Sequence, residues 1–162
     1  MADGNIITGA SMNRGKSFQA YETPGEFLQA VALRFGFLSW DLAATPENAK
    51  APNYFTKEQD SLKQEWRVKS GGLVCWLNPE FGCIAPWAEK CATEMKLGAR
   101  ILLLTPASVG ANWFQQHVVP NAHVIELSPR LSFDGKNSFP KDLILSVFYG
   151  GLTGRSHWRW KP

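Results

Sequence analysis

No charge of either sign dominates this chain. Seventeen Lys and Arg face fourteen Asp and Glu over 162 residues, a net of +3, and charged residues make up 19%. That balance permits a polyanionic partner without arguing for one. Long apolar runs are missing too. Ile101–Leu104 and Leu143–Leu145 fall far short of the roughly 20 residues a membrane-spanning helix needs. The opening MADGNIITGASMNRGKS has no apolar core of a secretory signal, so a cytoplasmic location is expected. Cysteine is scarce and odd in number: Cys75, Cys83 and Cys91 match no zinc spacing and read as small buried hydrophobes. His117 and His123 have no partner at ligand spacing, and no metal is expected. There is no internal repeat. What is present, 44% hydrophobic and 12% aromatic residues, suffices for one core in one domain.

Residues 1–16 are rich in Gly, Asn and Ser and read as a flexible tail. Thr23-Pro24-Gly25 opens a helix: Thr23 suits the N-cap, Pro24 the first turn and Glu26 the dipole. An apolar stripe through Phe27, Leu28, Val31, Leu33 and Phe35 carries it to Gly36. Phe37–Asp41 reads as a short buried strand. From Ala43 to Gln64 the chain is loop-like, and so long a loop inside a domain is usually functional. Alternation then resumes, with strand Leu73–Leu77 and helix Pro86–Leu97, followed by a doubly buried strand, Ala99–Leu104. Helix Ala111–Val119, strand His123–Leu127, a loop at Leu131–Pro140 and strand Asp142–Tyr149 complete the series. The pattern predicts an α/β fold with a parallel sheet covered on both faces. The chain closes on RSHWRWKP, a basic and aromatic tail.

Two motifs bear on chemistry. Ala10–Ser17 fits a relaxed phosphate-binding loop, with Ala for the first glycine. Its context argues against that use: Asn5–Thr8 is a weak strand, Pro24 interrupts any helix from Lys16, and Ile101–Leu104 ends without a magnesium-binding acid. The segment Trp76–Gly82 (WLNPEFG) is more informative. It places Asn78 at a strand's carboxyl end, where open α/β sheets bind ligands. These residue types suit N-methylation of an exocyclic amine, a poor nucleophile because its lone pair is delocalised into the ring. The Asn78 side-chain oxygen and the Pro79 carbonyl can accept the two N–H bonds, localise the lone pair and aim it at a sulfonium methyl. Phe81 can stack on a base taken out of its helix. The same residues also read as a simple turn with Phe81 in the core.

Beyond this segment, Tyr21–Pro24, Phe37–Ala44, Asn48 with Tyr54-Phe55-Thr56, and Asp60-Ser61-Leu62 with Trp66 form a series. Trp76–Gly82, Pro86-Trp87, Leu102–Ala107 with Trp113-Phe114, Arg130–Phe133 and Leu145–Phe148 continue it. In kind and order these pieces resemble the small phage and prophage DNA N-6-adenine methyltransferase family (Dam-like), from about Ser17 to Phe148. The resemblance implies a Rossmann-like class I methyltransferase fold, a three-layer sandwich with a mostly parallel central sheet. It would occupy residues 17–150, between the tail and a basic aromatic extension at 151–162.

The implied activity is N6-methylation of a flipped adenine in DNA by direct in-line transfer, with S-adenosyl-L-methionine as donor. Tyr21, Thr23, Pro24, Asp41 and Ala43 would line the donor pocket, and Asp60, Ser61 and Leu62 would meet the donor's adenine end. Asp60 reads equally as a helix N-cap. Asn78, Pro79 and Phe81 correspond to the family's catalytic Asn-Pro-Pro-Tyr/Phe motif, with Glu80 where the second proline is usual. Glu80 relaxes the turn and sets a charge beside an anionic substrate, unless Arg130 or Lys90 pairs with it. Arg130 and Lys136, with Arg155 and Arg159 beside Trp158 and Trp160, are the expected DNA contacts. No segment is long enough for a separate recognition domain, so a short or relaxed sequence preference is expected. Glu80 supports the alternative of a catalytically silent protein that binds DNA or another protein. The Asn-Pro constellation also admits another conjugated amine, such as cytosine N4. A phage-encoded protein would act in the host cytoplasm.

Overall fold

Seven strands form one sheet in the computed structural model, which describes residues 22–162. The N-terminal tail, the phosphate-loop-like segment and Tyr21 lie outside the described residues. The strands are β1 (Leu38–Asp41), β2 (Asn53–Tyr54), β3 (Val74–Leu77), β4 (Arg100–Pro106), β5 (His123–Ser128), β6 (Leu143–Phe148) and β7 (Gly154–Arg159). Their spatial order is β2-β1-β3-β4-β6-β5-β7. Only β6 runs against its neighbours, β4 and β5; the other pairs are parallel.

Alternation along β4 explains why its residues are apolar on both sides. Ile101 and Leu103 join the core under α2 (Trp66–Ser70), α3 (Ala85–Lys96) and a π-helical turn at Phe114–Val118. Leu102 and Leu104 join the core under α1 (Gly25–Phe35) and the segment containing Leu131 and Phe139. A parallel sheet covered on both faces needs such doubly apolar strands. α2 and α3 are tied by buried Glu94, which bonds Lys90 Nζ at 2.7 Å and accepts the Arg67 backbone N–H at 2.9 Å. A buried carboxylate is tolerated only when paired in this way.

Several local expectations shift. Helix α1 begins at Gly25 with Pro24 at the N-cap, and the Pro24 carbonyl accepts the Phe27 and Leu28 N–H groups, both at 3.1 Å. Thr23 is therefore not the cap. Phe37 is 70% exposed, and the strand starts one residue later. The expected helix at Ala111–Val119 contracts to the π-helical turn.

The largest difference is at the C-terminus, where the tail forms strand β7 at the sheet edge, parallel to β5. Its alternation was legible in Ser156, Trp158 and Trp160 against Arg155, His157 and Arg159. Trp158 and Trp160 pack on Phe27 of α1 at 6.0 and 5.1 Å between ring centroids, and Trp160 Nε1 donates to the Pro129 carbonyl at 2.7 Å. These half-buried indoles cover the side of α1. The connection from β6 turns at Gly150 and Gly151, both with positive φ, and passes the end of β5. His123 fastens it through the Thr153 carbonyl and the Ser156 hydroxyl, at 3.2 and 2.8 Å.

Candidate active site

The chain leaves β1 toward β2 on one side and leaves β3 toward β4 on the other, so the crevice between β1 and β3 is a topological switch point. Ligands of open α/β sheets bind beyond the carboxyl ends of the strands at such a point. Asp41 pairs with Trp76 in the ladder, and Leu42 N–H continues it to the Trp76 carbonyl at 2.9 Å. The carboxyl end of β1 is thereby locked beside Asn78. A cavity of about 360 Å³ opens there. Thr23, Asp41, Ala43, Asp60, Ser61, Leu62 and Asn78 all line it; Pro24, Pro79 and Phe81 lie outside its wall.

Asp41 builds the wall. It is buried, and its Oδ1 and Oδ2 accept the backbone N–H groups of Ala43 at 3.2 Å and Lys50 at 2.9 Å. Loss of water raises its pKa above the ordinary carboxylate value, against the lowering effect of those two N–H bonds and the Lys50 charge. Both oxygens thus shape the loop from Ala43 to Lys50.

Asn78 is fixed from the other side. Its Nδ2 donates to the buried hydroxyl of Thr23 at 3.0 Å, which joins the turn after β3 to the segment entering α1. Asp60 holds a left-handed conformation, φ 49°, at the N-cap of a 3₁₀ turn, Ser61–Lys63. Its side chain makes no cap bond and instead pairs with Lys63 at 2.8 Å. A non-glycine residue in this conformation marks a place where surroundings dictate the backbone. The buried indole of Trp66 donates to the Ser61 carbonyl and hydroxyl at 2.8 and 3.1 Å, anchoring the wall to the core.

Around the signature, Glu80 lines the cavity and is exposed. It pairs with neither candidate, because Arg130 Nε bonds Asp142 at 2.8 Å and Lys90 bonds Glu94. Phe81 packs edge-on against Phe133 and Phe139, at 6.4 and 5.9 Å between centroids. The aromatic trio ties the turn to the segment 130–142. In that segment Asp134 accepts the backbone N–H groups of Lys136 and Asn137, both at 2.8 Å.

Arg130 closes the same segment through Asp142 and the Pro140 carbonyl. Arg159 ends β7 and Arg130 follows β5, so both lie at the end of the sheet where Asn78 follows β3. Arg155 sits four residues earlier on β7, toward the opposite end of the strands, beside Glu126 at 3.7 Å.

Sequence reasoning missed Lys50, Lys57 and Cys83 on the cavity wall. No local signal marked the lysines, which lie in an irregular loop. Cys83 directly follows the signature segment and breaks the expectation of a buried thiol: it is exposed, whereas Cys75 and Cys91 are buried. Burial pushes the Cys75 thiol up to about 11 and that of Cys91 well above its ordinary value. Thiolate is the reactive form. Iodoacetamide at mildly alkaline pH is therefore expected to modify Cys83 alone in the folded chain, read by peptide mass mapping. Equal labelling of Cys75 or Cys91 would contradict this arrangement.

A family model for DNA N-6-adenine-methyltransferase (Dam) matches residues 12–143. The chain belongs to this Dam family. Its sheet and switch-point crevice are accordingly those of a Rossmann-like methyltransferase fold. The chain is 26% identical over 137 residues to a DNA N-6-adenine-methyltransferase of Escherichia phage T1, covering 84% of this chain and 56% of that protein. It is 27% identical over 79 residues to the protein of that name from Haemophilus phage HP1 (strain HP1c1), covering 48% of this chain and 43% of the relative. The Dam-family chain thus spans about half the length of these relatives. Among the described residues, no group of three His, Cys, Asp or Glu side chains could hold a metal ion, and no helix is long and apolar enough to cross a membrane.

Proposed function

We propose that this Dam-family chain transfers a methyl group from S-adenosylmethionine to the exocyclic N6 amine of an adenine in DNA. The observation that carries the reading is the placement of Asn78, braced by Thr23, on the wall of a cavity at the switch point. The cavity suits the donor's chemistry. Leu62, Trp76 and Trp87 offer apolar surface for an adenine ring, and Asp60 offers a carboxylate for ribose hydroxyls. Bound there, the donor supplies an electrophilic methyl on a sulfonium.

The remaining work belongs to the chain. The Asn78 side-chain oxygen and the Pro79 carbonyl accept the two N–H bonds of the amine, which turns its lone pair out of conjugation with the ring. Thr23 holds the Asn78 amide in the orientation that presents its oxygen. Oriented acceptors of this kind are worth about 10²–10³ in rate, and proximity supplies much of the rest. Phe81, set by Phe133 and Phe139, flanks the base beside the turn. Arg130, Lys136 and Arg159 meet backbone phosphates, with Arg155 farther along the same edge strand. With contacts mainly to the backbone, sequence preference is short or relaxed.

The test is incubation of the purified chain with unmethylated duplex DNA and isotope-labelled S-adenosylmethionine, followed by nucleoside analysis. N6-methyladenine is the expected product. N4-methylcytosine would keep the mechanism and change the target. Donor binding without labelled DNA would favour the second reading, a silent binder, which the unpaired position of Glu80 relative to Arg130 and Lys90 supports.

A further inference from the structure

Lys50 and Glu22 form an ion pair on the wall of the cavity. The pair joins two loops far apart in sequence: Glu22 precedes α1 and Lys50 follows β1. The lysine is held at both ends, its backbone N–H by Asp41 at 2.9 Å and its ammonium by Glu22. Its side chain is only 16% exposed, against 64% for Glu22. An ion pair so placed is a weak source of stability, because desolvation offsets the attraction. Its position facing a ligand cavity calls for another use.

We infer that Lys50 and Glu22 recognise the zwitterionic amino-acid head of the methyl donor, Lys50 taking the carboxylate and Glu22 the ammonium. The inference rests on the donor reading above and deepens it. In S-adenosylmethionine the reactive methyl, the amino-acid arm and the ribose C5′ are bonded to one sulfur, so the head and the nucleoside diverge from a point next to the amine-binding residue. Glu22 adjoins Thr23, the residue bonded to Asn78, which puts the ion pair at the reacting end of the cavity. Asp60 and Ser61 lie on another stretch of the wall, suited to the nucleoside end. Lys57 also lines the cavity, but it is exposed and lies three residues from Asp60. The pair meets both charges of the head with complementary groups, and Asp41 already orders the backbone of Lys50. A charge-assisted bond to a carboxylate in a partly desolvated wall is stronger than an equivalent one in water.

Two ligands separate the head from the rest of the donor. S-adenosylhomocysteine carries the amino-acid head; 5′-methylthioadenosine keeps the thioether and nucleoside but lacks it. Both are titrated by tryptophan fluorescence, with Trp76 and Trp87 on the cavity wall as reporters. Lys50→Met is expected to weaken S-adenosylhomocysteine about 30-fold and to leave 5′-methylthioadenosine within about twofold. Lys50→Arg, which keeps the charge, is expected to retain most of the affinity, and Glu22→Gln to lose about fivefold because Glu22 is more exposed. Unchanged affinity for S-adenosylhomocysteine in Lys50→Met overturns the inference. Equal loss of both ligands also overturns it, since a damaged cavity rather than a lost head contact would explain that result. If the native chain binds neither nucleoside, the donor reading itself fails and this inference falls with it; binding of 5′-methylthioadenosine with no gain from the head sinks the inference alone.

Discussion

Asn78→Ala is expected to lower the rate of methyl transfer by about 10³-fold while S-adenosylhomocysteine binds within about threefold of the native affinity. The side chain has two jobs on opposite sides. Its Nδ2 donates to Thr23 at 3.0 Å, and its oxygen is the acceptor proposed for the substrate amine. Alanine removes both, but the stretch of cavity wall built by Asp41, Asp60 and Ser61 does not depend on either. Loss of the Thr23 bond costs about 1 kcal/mol of stability, too little to unfold a domain with two well-filled cores. Single-turnover transfer to duplex DNA reads the first number, and fluorescence titration the second. Transfer at the native rate would show that the amine is held by something else. A parallel loss of donor affinity would show that Asn78 serves donor binding rather than the amine.

Asp41→Ala should fail in the opposite way, with donor affinity falling at least about 50-fold because the wall itself comes apart. The carboxylate is buried, and each oxygen holds one backbone N–H of the loop from Ala43 to Lys50. Removing it leaves two donors without their acceptor and also frees the backbone of Lys50, so the ion pair with Glu22 loses its support. Relief of a desolvated charge offsets part of the cost, leaving a net loss of about 2 kcal/mol in stability.

The charge has its own signature with pH. Burial raises the Asp41 pKa, so the folded chain holds this proton more tightly than the unfolded chain, whose ordinary value is 3.8. Its contribution to stability is therefore complete below pH 3.8 and is lost as pH rises through the higher folded value. Asp41→Asn carries no proton to lose. Its stability relative to the native chain should shift in favour of the variant as pH rises from the acid side to neutrality, whatever constant offset the amide introduces. Urea unfolding of both proteins at acid and neutral pH measures this difference, and a difference independent of pH would contradict it.

Periodicity alone located the principal strands and α3, because a burial pattern of two or of nearly four is a local property of the chain. Helix α3 begins at Ala85 where Pro86 was expected to open it, and the apolar run around Ile101 became a strand buried on both faces. The order Trp76–Gly82 marked the Asn-Pro turn for the same reason: a strand that ends in Asn-Pro must present those groups at its end.

Local pattern was weaker where two neighbouring signals competed. At Thr23-Pro24-Gly25, a good N-cap residue stood next to a proline, and the backbone chose the later start, which released the Thr23 hydroxyl for Asn78. In the last residues, arginine and histidine suggested a solvated tail, although the alternating tryptophans needed a surface to cover. The sheet edge beside β5 and the side of α1 supplied it.

What the sequence by itself determined is the principal strands with α1 and α3, the Asn-Pro turn at the end of β3, and the kinship that its ordered pieces reveal. Tertiary structure alone decided the pairings across distance: Thr23 with Asn78, Lys50 with Glu22 and with Asp41, and Phe81 with Phe133 and Phe139. The physical reason lies in the range of the forces. Hydrophobic periodicity tells which face of an element is buried, but it is blind to which partner covers that face. A polar side chain in an irregular loop has no period at all, and its role is fixed only when folding brings it to a buried carboxylate or an opposite charge.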